Sequence, residues 1–330
     1  MSHDALVATL ARLANASLSL WDLEAGATAR LINLSENATY LVETPSGGRT
    51  ILRIHREGYH SRRAIECELA WLEALRTEGG VITPHAIPGR DGEIIQIGRI
   101  DALPTPRHMV LFEFIEGEEP DEKAHDLRQP FIRLGEITAR IHRHSETWAR
   151  PQPFERLTWD YEHILGAHPY WGDWRAAPAM DPAREEILTR QQDTIRRRLE
   201  SYGMGPHRYG LIHADLRLAN LLVSGDSTRV IDFDDCGFGW YLYDLATAFS
   251  FFEDNPQVPE LTRYWLEGYL PVRNLDQADI DEIPTFIMLR RMALLAWIGS
   301  HSETELAQEM GPEFTRVSCE LAEDYLTRFG

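Results

Sequence analysis

The chain of 330 residues contains little cysteine and almost no lysine. Its three cysteines, Cys67, Cys236 and Cys319, are far apart and include no Cys-x-x-Cys pair. Such a set argues against a disulfide framework and against a zinc site of closely spaced ligands, and it indicates reduced thiols. Lys123 is the single lysine among 33 basic residues, so arginine must supply nearly every positive charge.

Long apolar runs are also missing. No stretch of 18 or more apolar residues occurs, so the sequence predicts no transmembrane span. The first residues, Met1-Ser-His-Asp4, have neither the basic nor the apolar region of a signal peptide, and we expect a cytoplasmic protein. The formal net charge of −19 disfavours nucleic acid and anionic membranes as partners. It is compatible with a cationic substrate such as an amine, and equally with an ordinary acidic protein.

Two apolar segments that deliver acidic or amide side chains are the most informative feature of the chain. Residues 211–222 carry Asp215 and Asn220, and residues 229–235 carry Asp232, 17 positions after Asp215. This set matches the working parts of a kinase. One carboxylate orients a hydroxyl group, while an amide and a second carboxylate hold magnesium on ATP.

These residue types suit phosphoryl transfer, which requires positioning and charge neutralisation more than covalent chemistry. Magnesium prefers oxygen ligands and keeps several waters, so Asn220 and Asp232 suffice beside the phosphates. Asp215 is then free to accept the proton of an incoming alcohol. His213, two residues earlier, is expected to be structural. A carboxylate at the end of an apolar strand is energetically unfavourable unless a cation or another partner lies beside it. This favours a functional role for Asp215 and Asp232 over a purely structural one.

The same motifs resemble the aminoglycoside phosphotransferase superfamily, which shares the protein-kinase-like fold and includes choline, ethanolamine, homoserine, hydroxylysine and bacterial stress-response kinases. The resemblance covers nearly the whole chain and is densest in His213-Ala-Asp-Leu-Arg-Leu-Ala-Asn220, Val230-Ile-Asp-Phe-Asp-Asp235 and Tyr243-Asp-Leu-Ala246. It implies Asp215 as the catalytic base and Asn220 and Asp232 as magnesium ligands. Asp244 is either the family's buried aspartate, which braces the catalytic loop, or a simple helix N-cap.

The resemblance also implies a nucleotide-binding lysine on the third strand of the small lobe, where this chain has none. Strand-like runs cover 29–34, 38–43 and 49–54, and a Pro-Ser-Gly-Gly turn makes the last two a hairpin. Arg53 occupies the lysine's place and can bind phosphate through its planar fork. Glu68, on a helix that begins after Ser61, is placed to pair with Arg53. Glu66 is the competing candidate, and either glutamate could instead be solvated.

Further nucleotide contacts are expected in the small lobe. The segment from Ser35 to Thr39 takes the place of a phosphate-covering loop, although it contains no glycine. The hydroxyls of Ser35 and Thr39 could contact phosphates, or the segment could be an ordinary hairpin turn. Strands are predicted at 93–97 and 108–113. The residues that follow resemble the hinge that reads adenine, with the Glu113 C=O and the Ile115 N–H as contacts.

The rest of the chain predicts a mainly helical large lobe. Apolar periodicity predicts helices at 130–145, 183–201, 242–252, 257–270, 278–299 and 313–328. His142 and His144 are predicted to be core or surface residues of the first of these and not ligands. The irregular segment 147–182 holds Trp148, Trp159, Trp171 and Trp174. These rings form either a wall for an ammonium group through cation–π attraction or a local packing cluster.

Together these observations predict an α+β protein with the two-lobed protein-kinase-like fold. Residues 1–116 form an antiparallel β nucleotide-binding lobe, and residues 117–330 form a mainly helical catalytic and substrate-binding lobe. The predicted activity is ATP- and Mg²⁺-dependent phosphorylation of a hydroxyl on a small molecule. Analogy at the level of the family favours an amino alcohol or hydroxy amino acid over an aminoglycoside.

Two other functions stay open at this stage. The chain could be a Ser/Thr protein kinase of the bacterial stress-response type, although it has no A-P-E activation segment of the eukaryotic kind. It could also be a catalytically inactive nucleotide-binding module, given Arg53 and the loop without glycine. The sequence does not indicate an oligomeric state.

Overall fold

The computed structural model describes residues 2–122, 124–302 and 304–330, and its chain divides into two compact units. The first unit comprises Met1–Gly117, Arg150–Glu155 and Arg229–Ile231. The second unit comprises Glu118–Ala149, Arg156–Thr228 and Asp232–Gly330.

The first unit is built around an antiparallel sheet. Its elements are α1 (His3–Ser17), β1 (Thr28–Leu34), β2 (Ala38–Glu43), β3 (Arg49–Ile54), α2 (Arg62–Ala74), β4 (Ala86–Ile87), β5 (Gln96–Gly98) and β6 (Arg107–Glu113). The strands follow the order β1-β2-β3-β6-β4, and β5 also pairs with β6. Alternation along β2 buries Tyr40 and Val42 against Leu13 of α1 and Leu52 of β3. This packing makes the core of the unit.

Local residues determine where several of these elements begin and end. Gly47, with φ of +89°, lies in the turn between β2 and β3, whose register pairs Glu43 with Arg49. The Ser61 hydroxyl accepts a hydrogen bond from the Ala64 N–H and caps α2. The strand predicted at 93–97 is wrong in its position, because pairing with β6 covers Gln96–Gly98.

The second unit is mainly helical. Its elements are α3 (Arg128–Thr147), β7 (Leu157–Trp159), α4 (Tyr161–Ile164), α5 (Pro182–Tyr202), β8 (Tyr209–Ile212), β9 (Leu221–Ser224), β10 (Ser227–Val230, which starts in this unit), β11 (Gly237–Trp240), α6 (Tyr241–Thr247), α7 (Val258–Tyr269), α8 (Gln277–Ser300) and α9 (Glu305–Phe329). Strand β11 pairs in parallel with β7 and antiparallel with β8, and β9 pairs with β10.

Two glycines let α3 and α7 pack with their backbones in close contact. A Cβ atom on Gly135 would lie 1.9 Å from the Trp265 carbonyl oxygen, and one on Gly268 would lie 1.9 Å from the Ile132 carbonyl oxygen. Real Cβ atoms cannot approach so closely, so only glycine fits at these two positions. The end of α7 thereby lies beside the C-terminal half of α3, where His142 contacts Tyr269.

Helix α8 combines an apolar composition with buried charges. Within the described ranges it is the one helix long and apolar enough to cross a membrane by length and composition, but 72% of that window is buried inside the protein. Arg291 is buried and forms a 2.7 Å ion pair with Glu253, which is also buried. Burial raises the pKa of Glu253, although Arg291 opposes the shift. These features are those of a core helix.

Candidate active site

The segment between β8 and β9 forms a tightly braced loop that carries Asp215. The Asp244 carboxylate, buried on α6, accepts the backbone N–H groups of His213 at 3.0 Å and Ala214 at 2.6 Å. The Leu216 N–H donates to the Thr247 hydroxyl at 2.9 Å. Helix α6 has no side-chain cap at its start, so the N-cap alternative for Asp244 is wrong and the brace is what the structure contains.

His213 contributes to the geometry of the same loop. Its side chain is buried beside the Phe233 ring, and its Nδ1 accepts the Asp215 N–H at 3.3 Å. Ala214, between these two residues, has φ of +68°, a left-handed conformation that is unfavourable for alanine. The fold therefore holds a strained backbone immediately before Asp215, which is common where a catalytic side chain must be aimed.

The two oxygens of Asp215 bind different partners. The Asn220 amide nitrogen donates to the Asp215 backbone carbonyl at 2.7 Å and to its Oδ2 at 3.1 Å. Arg290 donates from Nη2 to Oδ1 at 2.8 Å. The Asp215 side chain stays about a quarter exposed. Both the direction and the accessibility of this carboxylate therefore suit a group that receives a hydrogen bond from an alcohol.

Arg290 was not predicted from the sequence. It lies on α8, is 3% exposed, and also donates from Nε to the Ser250 hydroxyl at 2.9 Å. Burial acts to lower its pKa, but Tyr243 and Asp215 beside it outweigh that effect and raise the pKa. The guanidinium therefore keeps its positive charge next to Asp215. The one signal in the sequence is a pair of arginines inside the apolar stretch of this helix, since buried arginines require partners.

Arg290→Met should lower kcat by about 10- to 100-fold, because a charged hydrogen bond to the catalytic carboxylate contributes about 1.5–3 kcal/mol. Steady-state kinetics at saturating nucleotide and acceptor would measure the change. Arg290→Lys keeps the charge but not the planar fork, and it should retain an intermediate rate. An unchanged kcat in the methionine variant would show that the Arg290–Asp215 contact has no part in the reaction.

Asp232 lies in the segment that follows β10. It is exposed and adopts a left-handed φ of +62°. Arg156 braces the next turn by donating to the backbone carbonyls of Asp234 and of Cys236, the latter at 2.7 Å. The turn that directly follows Asp232 is thus fixed by a buried arginine that the sequence did not single out.

The donor set of Asn220 and Asp232 fits a hard divalent cation. Asn220 uses its nitrogen to bind Asp215, and its Oδ1 accepts no hydrogen bond from the residues that the structure describes. Carboxylate and amide oxygens are the ligands that magnesium prefers. Within the described ranges, no group of three or more His, Cys, Asp or Glu side chains could hold a metal ion, so a denser cage of zinc type is not found there. The magnesium role of the two residues stays a prediction.

In the first unit, Arg53 pairs with Glu68 and not with Glu66. The Arg53 Nη2 lies 2.5 Å from Glu68 Oε1, and both side chains are buried. Glu66 binds Arg62 and Arg63 instead, each at 3.1 Å. Of the two glutamates that the sequence offered as partners of Arg53, the structure therefore contains the pair with Glu68. A buried, braced arginine on β3 is placed as the resemblance requires of a phosphate-binding cation.

The remaining predicted nucleotide contacts lie on the strands of the same sheet or next to their ends. Ser35 is exposed in the turn between β1 and β2, whereas Thr39 lies inside β2, directly opposite Arg53. Side chains opposite each other in an antiparallel pair share one face, so Thr39 and Arg53 lie on the same face of the sheet. Glu113 ends β6, and the Ile115 N–H donates to no backbone carbonyl of the described residues. These positions are compatible with their predicted roles, which stay predictions.

Replacing Arg53 with alanine should weaken ATP binding by about 1–3 kcal/mol, the range for a hydrogen bond to a charged phosphate. Isothermal titration with a non-hydrolysable ATP analogue would measure the loss. Arg76→Ala is the matched control, because Arg76 lies on the surface of the same unit and pairs only with Glu73 within the described ranges. Equal nucleotide affinity in the Arg53 variant and the wild type would place the phosphate-binding cation elsewhere.

The four tryptophans of segment 147–182 have separate surroundings. Trp148 is half-buried and packs near the His144 ring, with centroids 5.7 Å apart. Trp174 is buried and donates to Gln192 at 3.0 Å, so it is a packing residue. Trp159 donates to the Asp235 carbonyl at 2.8 Å and stacks on Tyr243 with ring centroids 6.1 Å apart. Trp171 is half-buried and lies 5.1 Å from the Arg290 guanidinium.

Three of these rings, Trp159, Trp171 and Tyr243, form what we term the aromatic wall. The Trp159 ring contacts both other rings, and Arg290 connects the wall to Asp215. Trp174 packs locally, as one interpretation of the tryptophan segment predicts. The role of the other rings as a wall for an ammonium group stays a prediction.

Comparison with known proteins agrees with this arrangement. The family model described as "Phosphotransferase enzyme family" matches residues 28–279. The solved structure of a microcompartment-associated aminopropanol kinase is 47% identical, with a TM-score of 0.89 over 97% of this chain and 98% of that one. The amicoumacin kinase of Bacillus subtilis is 26% identical over 69% of this chain and 67% of its own length. The homoserine kinase of Rhizobium rhizogenes is 27% identical over 76% and 73%.

These similarities confirm the predicted fold class and the predicted superfamily. The α+β protein-kinase-like fold agrees with the TM-score of 0.89 and with the antiparallel sheet of the first unit.

Proposed function

This chain belongs to the phosphotransferase enzyme family as an ATP-dependent kinase of small molecules, and we propose on that basis that its acceptor is the hydroxyl group of an amino alcohol. The observation that carries the proposal is the position of Asp215. Its carboxylate is oriented by Asn220 and Arg290, and Arg290 in turn contacts the aromatic wall. A hydroxyl and a positive group on one small acceptor could both be bound there.

Each side chain has a distinct role in the proposed reaction. Asp215 accepts the hydrogen bond of the acceptor hydroxyl and directs its oxygen in line with the γ-phosphorus. Asn220 Oδ1 and the Asp232 carboxylate would hold magnesium, which neutralises phosphate charge when bound. Arg53, braced by Glu68, binds the α- and β-phosphate oxygens.

An amine on the acceptor suits the surroundings of Asp215. Aromatic faces attract an ammonium group by about 0.5–2 kcal/mol, and the net charge of −19 draws cations to the protein. The similarity to an aminopropanol kinase at 47% identity supports the same substrate class. An amino alcohol is therefore supported both by the surroundings of Asp215 and by the similarity to the aminopropanol kinase.

A hydroxy amino acid is the second candidate, and one observation favours it. The buried positive charge of Arg290 lies 2.8 Å from the Asp215 carboxylate and could attract a carboxylate of the acceptor. The homoserine kinase among the relatives acts on an acceptor of that class.

A panel of matched alcohols tests the proposal. Release of ADP would be measured with 1-aminopropan-2-ol, ethanolamine, homoserine, an aminoglycoside and propan-2-ol, which lacks the amine. The amino alcohol should exceed propan-2-ol in kcat/KM by about 2- to 30-fold, the equivalent of about 0.5–2 kcal/mol for one cation–π contact. Preference for homoserine would support the second candidate. Phosphorylation of added protein would support the stress-response type, and nucleotide binding without turnover of any acceptor would indicate the inactive module.

We also propose a cytoplasmic location. Cys67, Cys236 and Cys319 are all buried, and none forms a disulfide within the described ranges, which suits a reducing compartment. Their distribution is that of core residues without any disulfide constraint.

A further inference from the structure

A series of buried, hydrogen-bonded side chains ends at Asp244, which braces the loop that carries Asp215. His142, on α3, has no exposed surface, and both of its ring nitrogens are bonded. Its Nε2 lies 2.9 Å from Asp244 Oδ2, and its Nδ1 lies 2.9 Å from the Tyr269 hydroxyl. None of the proposed steps of phosphoryl transfer uses His142 or Tyr269. A buried pair of this kind is costly unless every group is satisfied, so its partners define what it does.

The donors and acceptors along this chain can be assigned in only one order. Both Asp244 oxygens already accept backbone N–H groups, from Ala214 on Oδ1 and from His213 on Oδ2. His142 therefore donates to Asp244 from Nε2. The Tyr269 hydroxyl also bonds Arg273, which can only donate, so its proton goes to His142 and the His142 Nδ1 must accept. Burial lowers the pKa of His142, which favours the same neutral ring.

Tyr269 then donates its hydroxyl proton to His142. Burial raises the pKa of Tyr269, so the phenol keeps that proton. The Tyr269 oxygen is left to accept, and the Arg273 Nη1 donates to it at 2.8 Å. The order Arg273 to Tyr269 to His142 to Asp244 is thus continuous, and each donor has one acceptor.

The outer end of this hydrogen-bond chain is fixed by further contacts of Arg273. Arg273 donates from Nη2 to Glu146 Oε1 and to the His207 carbonyl oxygen, both at 2.7 Å. Its guanidinium also lies 4.4 Å from the centre of the Tyr241 ring. The arginine is therefore held on three sides and cannot rotate away from Tyr269 without losing several charged hydrogen bonds.

We propose that Arg273, Tyr269 and His142 form a directional hydrogen-bond chain that positions Asp215 through Asp244. Tyr269 and His142 are positioning residues, since neither is bonded to Asp215 itself. Asp244 holds the left-handed Ala214 immediately before Asp215, a backbone conformation that is strained for alanine. A small shift of Asp244 would therefore redirect the catalytic carboxylate. Misplacement by about 1 Å can cost about 10²-fold in rate.

The inference rests on the proposed kinase function and is tested by a kinetic comparison. Tyr269→Phe and His142→Ala should each lower kcat about tenfold or more, while nucleotide affinity measured by titration stays within twofold of the wild type. His142→Gln can still donate an N–H to Asp244, and it should recover most of the rate. Tyr325→Phe is the matched control, because it removes a buried hydroxyl that bonds Thr285 at 3.0 Å on α8. That variant should lose thermal stability but keep kcat.

Three results would overturn the proposal. Tyr269→Phe and His142→Ala could resemble Tyr325→Phe, with lower thermal stability and an unchanged kcat. His142→Gln could be as slow as His142→Ala, which would remove the role of donation to Asp244. Nitrogen-15 NMR of labelled histidine could show that the signal lost in His142→Gln has its proton on Nδ1.

The same data separate this proposal from the proposed function. A wild-type protein that is inactive on amino alcohols contradicts the function, and the ratios of variant to wild type are then measured on whichever alcohol is phosphorylated. The NMR result needs no turnover and tests the direction of the chain by itself.

Discussion

The Asp215→Asn protein is expected to lose about 10²- to 10⁴-fold in kcat, the range for removal of a general base. Asparagine has nearly the same shape, so Arg290 and Asn220 can stay in place around it. It has no negative charge to accept the acceptor's proton, however, and it can present an N–H where an acceptor oxygen is needed. Nucleotide affinity should be unchanged, because Asp215 is assigned to the acceptor and not to ATP.

The Asp215→Asn variant is informative because it should change kcat without changing nucleotide affinity. Single-turnover kinetics would measure the chemical step, and titration with an ATP analogue would measure binding. Asp226→Asn is a suitable control, because Asp226 is exposed in the turn between β9 and β10 of the same unit. A variant that retains wild-type kcat would remove Asp215 from the reaction, and one that loses nucleotide binding would assign it to the metal instead.

The Asp232→Asn protein should lose the magnesium-dependent part of its nucleotide affinity. Changes in groups that merely support metal ligands cost about 10- to 100-fold in affinity or activity, so loss of a ligand carboxylate should cost at least about 100-fold. Titrations of an ATP analogue with excess magnesium and with EDTA would measure this. In the wild type, EDTA should weaken binding strongly. In the variant the two titrations should agree.

The Asp226→Asn control applies here as well and should keep the full effect of magnesium. Persistence of that effect in Asp232→Asn would contradict the role of Asp232 as a ligand. The same experiment with Asn220→Ala would then show whether the amide oxygen alone holds the ion.

Much of the first unit could be predicted from local sequence because its strands alternate and its turns are marked. The predicted strands at 38–43 and 49–54 coincide with β2 and β3. In contrast, β4 has two residues and β5 has three, which is too short to show a period. Their positions depend on pairing with β6, a partner that is distant in sequence.

The candidate site likewise contains some residues that local sequence predicts and others that it does not. The spacing of Asp215 and Asn220 predicted their proximity, and their side chains are indeed 3.1 Å apart. Arg290 lies 75 residues beyond Asp215, in a helix whose pattern indicates only core. Its role depends on how α8 packs near the loop, which no local pattern encodes. The same reason explains why His142 could be predicted as buried but not as a partner of Asp244 and Tyr269.

The most direct test is the identity of the product formed from ATP and 1-aminopropan-2-ol. Phosphorus-31 NMR of the reaction mixture should show one phosphate monoester on the hydroxyl oxygen, in an amount equal to the ADP released, and the Asp215→Asn protein should form almost none. ADP with free phosphate alone, a phosphoryl group on nitrogen, or equal product from the Asp215→Asn protein would contradict the account.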